Sequence, residues 1–280
     1  MTRADPPTRV GHADPRDVDR LAADLAAVGV RAGQDLLVHC SMRRIGPVAG
    51  GPATLLAALR QVAGPDATVV VPAQTVGNST TGPAFRAATD GLDAAGRAAY
   101  EARLTGFDPA ITPSEGMGIL AEYVRQQPGA ARSGHPITSF AAVGRRAVEF
   151  TEVHDLDCHL GERSPLGRLY TAGAAVLLLG VGYDKCTALH LAEYRPGARR
   201  PAGPPPERAY RCYLLVGGRR ERRDFRAPML DVSDFPEIGA AIEAHLPVGH
   251  GLVGAAQSTL LDLRAAVDFA TTWMAGHRRP

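Results

Sequence analysis

His190 and Glu193 stand three residues apart in T-A-L-H-L-A-E, residues 187–193. On a helix that spacing brings an imidazole and a carboxylate onto one face. An imidazole accepts a proton near neutral pH, and a carboxylate behind it orients the ring and steadies the imidazolium. The pair suits removal of a proton from an attacking nucleophile. The bland alternative is two half-exposed polar partners on a surface helix, a common pattern. Thr187, just upstream, is expected to N-cap that helix.

A second group surrounds Cys40. C-S-M-R-R-I-G-P-V-A-G-G, residues 40–51, joins a short strand (Asp35 to His39) to a helix starting at Pro52. Glycines before a helix offer backbone N–H groups to an anion, and Arg43 and Arg44 add positive charge. The loop is therefore a candidate phosphate cradle, although it is neither G-x-G-x-x-G nor a Walker loop. The alternative is an ordinary strand-to-helix loop with exposed arginines. A thiolate at Cys40 could also be stabilised there, which would make Cys40 and His190 the nucleophile and base of a thioester or amide hydrolase. His154-Asp155-Leu156-Asp157-Cys158-His159 has metal-ligating residue types. It lacks the spacing of zinc motifs, so a polar loop is the better reading.

The elements that must position these groups follow from periodicity. Ala174 to Leu179 is an unbroken apolar run closed by Gly180, as in a strand buried on both faces. The His190 helix follows it, so the pair sits beyond the carboxyl end of a central strand, where open α/β sheets bind ligands. Asp14-Pro15 is expected to open the first helix, with Val18, Leu21, Leu25 and Val28 inward and Gly29 ending it. Further strands are expected at Thr68 to Val71 and Ile137 to Val143, with helices at Pro52 to Val62, Met117 to Arg125, Arg146 to His154 and from Ser164-Pro165 onward. Ala73 to Asp108 is long and irregular, with a helical patch near Ala94 to Leu104, as expected of a lid or binding loop. The Pro- and Arg-rich stretch 195–208 marks a weak subdomain boundary within one 280-residue domain. After it come a hairpin (Tyr210 to Val216, Arg219 to Phe225), a helix at Phe235 to His245, two short strands, and a last helix capped by Asp262. This C-terminal part shows little candidate chemistry.

Composition sets the bounds. Hydrophobic residues make up 45% of the chain, enough for a sizeable core. Lys and Arg number 31 against 29 Asp and Glu, so a net charge of +2 gives no case for a nucleic-acid surface. The cysteines at 40, 158, 186 and 212 form no C-x-x-C, which favours free thiols and a cytoplasmic location. The first fifteen residues lack the apolar core of a signal peptide. No apolar run approaches the ~20 residues of a membrane span.

Six segments in order resemble the aminoglycoside 3-N-acetyltransferase family. They are LLVHCSMRRIG with VAGG, ATVVVPAQT, FDPAITPSEGMG with ILAEYVR, ARSGHPITSFAAVG, LGERSPLGRLY and VLLLGVGYDKCTALHLAEY. VDFATTWM near the end also fits. The resemblance implies a three-layer α/β/α sandwich around a mixed central sheet, with a smaller C-terminal hairpin-and-helix part. It implies acetyl-CoA as cosubstrate and transfer to an amine of a 2-deoxystreptamine antibiotic. Thr187, His190 and Glu193 then fall at the catalytic centre. The segment His39, Cys40, Ser41, Met42, Arg43, Arg44, Ile45 and Gly46 falls on the CoA phosphates and pantetheine, and Ser139 and Phe140 lie near that arm. Cys40 departs from a serine common in the family, and Asn78 to Arg103 differs from the best-known resistance enzymes. The partner is thus a small polycationic amine, with neither nucleic acid nor membrane, and a homodimer is one compatible assembly. A polycation calls for carboxylates, and Asp108, Glu115, Glu122, Asp155, Asp157, Glu162 and Asp184 are the candidates from connecting segments. Thr187 is the candidate hydroxyl donor near the developing oxyanion. Alternatives are an acetyltransferase acting on another amine in biosynthesis or self-protection, the Cys40 hydrolase, and a binding protein without catalysis.

Overall fold

The computed structural model describes residues 14–198 and 206–278. Among them a seven-stranded sheet runs in the order β3-β4-β2-β1-β5-β9-β8. These strands are β1 (Leu36–Cys40), β2 (Thr68–Pro72), β3 (Ala131–Arg132), β4 (Phe140–Gly144), β5 (Ala175–Leu179), β8 (Gly249–Val253) and β9 (Ala256–Asp262). β2, β1 and β5 are parallel, while β4 and β9 run antiparallel on either side. The sheet is mixed, as expected. β6 (Glu207–Val216) and β7 (Arg219–Pro228) form a separate hairpin turned at Gly217 and Gly218, both at positive φ. A two-residue turn that matches strand twist requires this.

Strand residues alternate between two cores, as a period of two dictates. Leu36, Val38, Val69, Val71, Ala175, Leu177 and Leu179 face one layer. It contains α1 (Val18–Val28), α3 (Pro52–Ala63) and α6 (Ile119–Arg125), with the one-turn α2 (Met42–Ile45) at its edge. Leu37, Val70, Phe140, Val176 and Leu178 face the other. There lie α7 (Ala147–Thr151), α8 (Pro165–Ala172), α9 (His190–Glu193), α10 (Phe235–His245) and α11 (Leu263–His277). The remaining helices, α4 (Pro83–Ala88) and α5 (Ala94–Ala102), belong to the long segment after β2.

Several local expectations need correction. α1 starts three residues later than Asp14-Pro15, because Arg16 bridges Val48 in extended form and the Asp17 side chain caps Arg20 N–H at 2.9 Å. The strand expected from Ile137 begins only at Phe140, since Ile137 and Thr138 point their N–H groups at the His135 ring. The stretch from Asn78 to Phe107 does not hang free as a lid. Its backbone pairs with the hairpin through Tyr213 N–H to Asn78, Thr80 N–H to Arg211 and Phe107 N–H to Tyr213. The proposed boundary falls partly on 199–205, which lie outside the described residues. Ser164 and Asp262 do cap α8 and α11 as expected. No helix among the described residues is long and apolar enough to cross a membrane.

The sheet tolerates little added bulk at its seams. Gly144 has φ +136, and a Cβ there would lie 2.4 Å from the Ala67 carbonyl and 2.7 Å from Thr68 Cα. Gly144→Ala is expected to cost about 2 kcal/mol or more by forcing β4 off β2. Urea unfolding should show a lower midpoint at unchanged slope; a midpoint equal to wild type would contradict this reading.

Candidate active site

A cavity of about 540 Å³ opens at the carboxyl ends of the parallel strands. β2 and β5 flank β1 on opposite sides there, and such a point is where α/β sheets leave a crevice. One wall is His39 to Arg43, leaving β1. Facing it is the segment Gly116 to Ala121, in which Gly118 takes φ +83 beside the Cys40 carbonyl. Asp184 to Thr187 and His190 form the floor, and Val232 and Phe235 close the far side.

His190 Nδ1 lies 2.5 Å from Glu193 Oε2, so Nδ1 carries the proton and Nε2 is left as the acceptor. The helical context differs from expectation. Thr187 to Leu189 form a 3-10 turn with Cys186 at its N-cap and no side-chain cap, and α9 is only four residues long. Thr187 therefore does not cap the helix. Its hydroxyl, bonded to no described residue, belongs to a side chain lining the cavity. The His190 ring packs on Phe235 with centroids 4.8 Å apart. The Glu193 side chain is 1% exposed. Its second oxygen accepts from Asp231 N–H at 3.0 Å and from Arg278 Nη1 at 2.6 Å.

Other expected site residues divide into two sets. His39, Cys40, Ser41, Met42 and Arg43 line the cavity. Arg44, Ile45 and Gly46 do not. Arg44 donates to the Gly180 carbonyl at 2.9 Å, Ile45 is buried in the core, and its carbonyl receives Ala255 N–H at 2.9 Å. The loop beyond them is held by Arg16 on Pro47 and Ala49. Gly46, Gly50 and Gly51 all take positive φ, as the turns there require, and they lie outside the cavity lining, so the expected phosphate cradle is not part of this cavity. Ser139 and Phe140 are fully buried. Ser139 donates to the Ala73 carbonyl and accepts from Arg132 Nε, while Phe140 is core, so neither can reach a ligand in the cavity.

The expected acceptor acids are mostly engaged elsewhere. Glu122 takes hydrogen bonds from Arg125, Ser114 and Gln126, and the Arg125 contact above all holds its pKa down at about 2. Asp155 and Asp157 both accept from Arg163, and Glu162 from Arg195. Asp108 caps its own turn at Ala110 N–H, and Glu115 holds Gly77 N–H. Of this set Asp184 lines the cavity, 3.0 Å from Lys185. Conversely Asp231, Asp234 and Arg278 from the C-terminal part reach the Glu193 side of the site, which sequence reading missed. The acidic pair just ahead of the Phe235 helix was the one local hint.

Burial sets the protonation of the neighbouring groups. It lifts the Cys40 thiol to about 12, which opposes a thiolate there and weighs against the nucleophilic-cysteine alternative. It also pushes the His39 ring down to about 3, with repulsion from His190 adding to the effect. The histidines of the 154–159 motif join His135 in a buried stack with centroids 4.7 and 4.5 Å apart. His135 Nδ1 accepts from the Ile137 and Thr138 backbone, and His154 Nε2 donates to the His159 carbonyl. Those rings fasten the turn before β4 to the loop before α8.

Residues 37–275 match the family model described as aminoglycoside 3-N-acetyltransferase. The chain is similar to aminoglycoside N(3)-acetyltransferase VII of Streptomyces paromomycinus, 36% identical over 266 residues that cover 91% of this chain and 90% of that one. Its structure resembles the crystal structure of the YokD protein of Bacillus subtilis, with a TM-score of 0.86, 32% identity and 95% coverage of both chains. It also resembles AAC-IIIb in a binary complex with CoASH, with a TM-score of 0.79, 33% identity, and coverage of 92% of this chain and 96% of that one.

The buried imidazoles make stability depend on pH. Desolvation lowers His154 to about 4 and His159 to about 3, with His154's charge helping in the latter, and holds His135 well below its ordinary value. An unfolded histidine titrates near 6.5, so below that pH the unfolded chain binds protons that the folded chain refuses. This contribution is full above about pH 6.5 and shrinks as pH falls toward the folded values, by on the order of 1–2 kcal/mol per ring at pH 5. Melting temperature is expected to drop steadily from pH 7 to 5. The drop should be shallower in His154→Gln; equal slopes would remove these rings as the cause.

Proposed function

The chain belongs to the aminoglycoside 3-N-acetyltransferase family, and from that membership we propose that it transfers the acetyl group of acetyl-CoA to an amine of an aminoglycoside. The amine assigned is the 3-amino group of the 2-deoxystreptamine ring, and the biological outcome is resistance to the antibiotic. His190 is the general base. The observation that carries this reading is the His190–Glu193 pair on the floor of a cleft whose wall is the His39 to Arg43 segment.

The cavity suits the donor. About 540 Å³ lies within the usual range for small-ligand sites, roughly 300–1,000 Å³. Val38, Val71, Met117, Ile119 and Val181 offer apolar contact to a pantetheine arm, and exposed Arg43 stands at the rim for phosphate. An ammonium cannot attack a thioester, so the acceptor amine enters neutral. His190 Nε2 takes its second proton as nitrogen bonds to the thioester carbon. The C–S bond then breaks, and the imidazolium can return that proton to the departing CoA sulfur. Glu193 holds Nδ1–H throughout and stabilises the transient positive ring. The Thr187 hydroxyl, on the cavity lining, is assigned as donor to the thioester oxygen as it gains charge. No protein nucleophile is required, in keeping with a Cys40 thiol whose pKa burial raises.

One observation favours a second reading, acetylation of an amine other than an aminoglycoside. Asp108, Glu122, Asp155, Asp157 and Glu162 are absent from the cavity lining, which leaves Asp184 as its anticipated carboxylate. A strongly polycationic acceptor has fewer counter-charges here than the family resemblance suggests.

Acetyl-CoA consumption, read by thiol release and product mass over an aminoglycoside panel and other amines, decides between the two. His190→Ala should lower kcat by about 10²–10⁴-fold while the protein stays folded. Cys40→Ser should retain activity within a few-fold. Unchanged turnover in the first, or its abolition in the second, would refute the direct-transfer mechanism.

A further inference from the structure

We propose that Arg278, at the end of α11, is the positioning residue that keeps Glu193 ionised and fixed, so that His190 presents a free Nε2 to the acceptor. The inference rests on the acetyl-transfer reading of the same pair. It assigns Arg278 no contact with either substrate.

Glu193 carries its two oxygens in different environments. Oε2 takes the His190 Nδ1 proton at 2.5 Å. Oε1 accepts from Arg278 Nη1 at 2.6 Å and from Asp231 N–H at 3.0 Å. A carboxylate only 1% exposed has almost no water to stabilise it, so its charge depends on these donors. The guanidinium is itself held on its other sides. Nε and Nη2 each reach an Asp234 carboxylate oxygen at 2.6 Å, and Nη2 also reaches the Asp231 carbonyl at 2.9 Å. Burial opposes the Arg278 charge, but the bonds from Asp234 and Glu193 outweigh it and raise its pKa.

The result is a fixed sequence of contacts, Asp234 to Arg278 to Glu193 to His190. Rotation of the Glu193 carboxylate would break both Oε1 bonds, so Oε2 stays on Nδ1. That assignment leaves the lone pair on Nε2. Titratable and charged groups facing Glu193 are His190 on α9, Tyr194 after it, Asp231 and Asp234 ahead of α10, and Arg278 on α11. Arg278 is the cation among them whose charge does not change during turnover. Without it, Oε1 keeps a single backbone donor, and a buried carboxylate then takes up a proton or swings away. Either event removes the anchor from the imidazole. Lysine at this position lacks the planar fork that grips Asp234 and Glu193 together.

The test compares Arg278→Ala, Arg278→Lys, Glu193→Gln and the double variant Arg278→Ala/Glu193→Gln. Arg278→Ala should lower kcat by about 10–100-fold, the size seen when an orienting partner is lost. KM for acetyl-CoA should rise by a smaller factor than kcat falls, because Arg278 itself does not line the cavity. Arg278→Lys should recover part of the loss. In the Glu193→Gln background, removing Arg278 should change kcat by less than about threefold, since the residue acts through that carboxylate. The His190 Nδ1–H proton, followed by NMR, should lose in Arg278→Ala the downfield position of a proton held by a carboxylate. Wild-type kcat in Arg278→Ala, a full multiplicative effect in the double variant, or an unmoved Nδ1–H signal would each overturn the proposal. Should Arg278→Ala fail to fold, Arg278→Lys decides by the same two readouts. If the wild-type protein acetylates no amine, the functional reading fails, and the Nδ1–H signal still judges Arg278 alone.

Discussion

A carboxylate with almost no water around it must be given compensating charge by the protein. Glu193 imposes that constraint, and its own helix together with two distant segments meets it. The desolvation of one such ion is worth several kcal/mol. It is offset here by an imidazole N–H from α9, a backbone N–H from the loop ahead of α10 and a guanidinium from the end of α11. The C-terminal part is therefore more than a cover for the sheet. Phe235 packs on the ring and Val232 completes the cavity wall, so the same segment that supplies charge also supplies shape.

The parallel centre of the sheet decides where that constraint is placed. β1 and β5 run side by side over five residue pairs, from Leu36 and Ala175 to Cys40 and Leu179. Their carboxyl ends deliver His39 to Arg43 on one side and Val181 to His190 on the other. Every side chain of β5 is buried, so the strand cannot slide without exchanging its two core faces. The loops leaving it are thus held to a rigid origin. Asp35 adds a polar lock at the opposite end of β1, accepting from Thr68 N–H at 2.8 Å and from Arg146 at 2.9 Å.

Features written within a few neighbouring residues could be read from the sequence. The apolar run of β5, the caps at Ser164 and Asp262 and the three-residue spacing of His190 and Glu193 are of this kind. The hairpin was legible too, because alternation and Gly217-Gly218 occur together. What could not be read depends on which partner a group finds. Arg278 lies 85 residues from Glu193, and nothing near it in sequence signals the contact. Glycines after β1 carry the composition of a phosphate loop, yet Gly46, Gly50 and Gly51 serve positive-φ turns and lie outside the cavity lining. Carboxylates gave the largest error. Asp155, Asp157 and Glu162 look available in sequence, but each is matched to an arginine in space, whereas the Glu122–Arg125 pair at i,i+3 could have been noticed.

The histidines near the site show why one of them can act as a base while others cannot. His39 and His159 are buried rings whose protonation is opposed first by desolvation and also by charge on His190. Neither has a carboxylate against it among the described hydrogen bonds. A proton entering the cleft floor therefore meets neutral imidazoles that resist it and one imidazole backed by an anion. When His190 becomes positive, Glu193 lies 2.5 Å away to stabilise it, and the same charge further disfavours protonation of its neighbours. Excess histidine around the site thus does not blur the location of the proton. Burial without a counter-ion disfavours charge on His39 and His159, whereas His190 is the ring with a carboxylate against it.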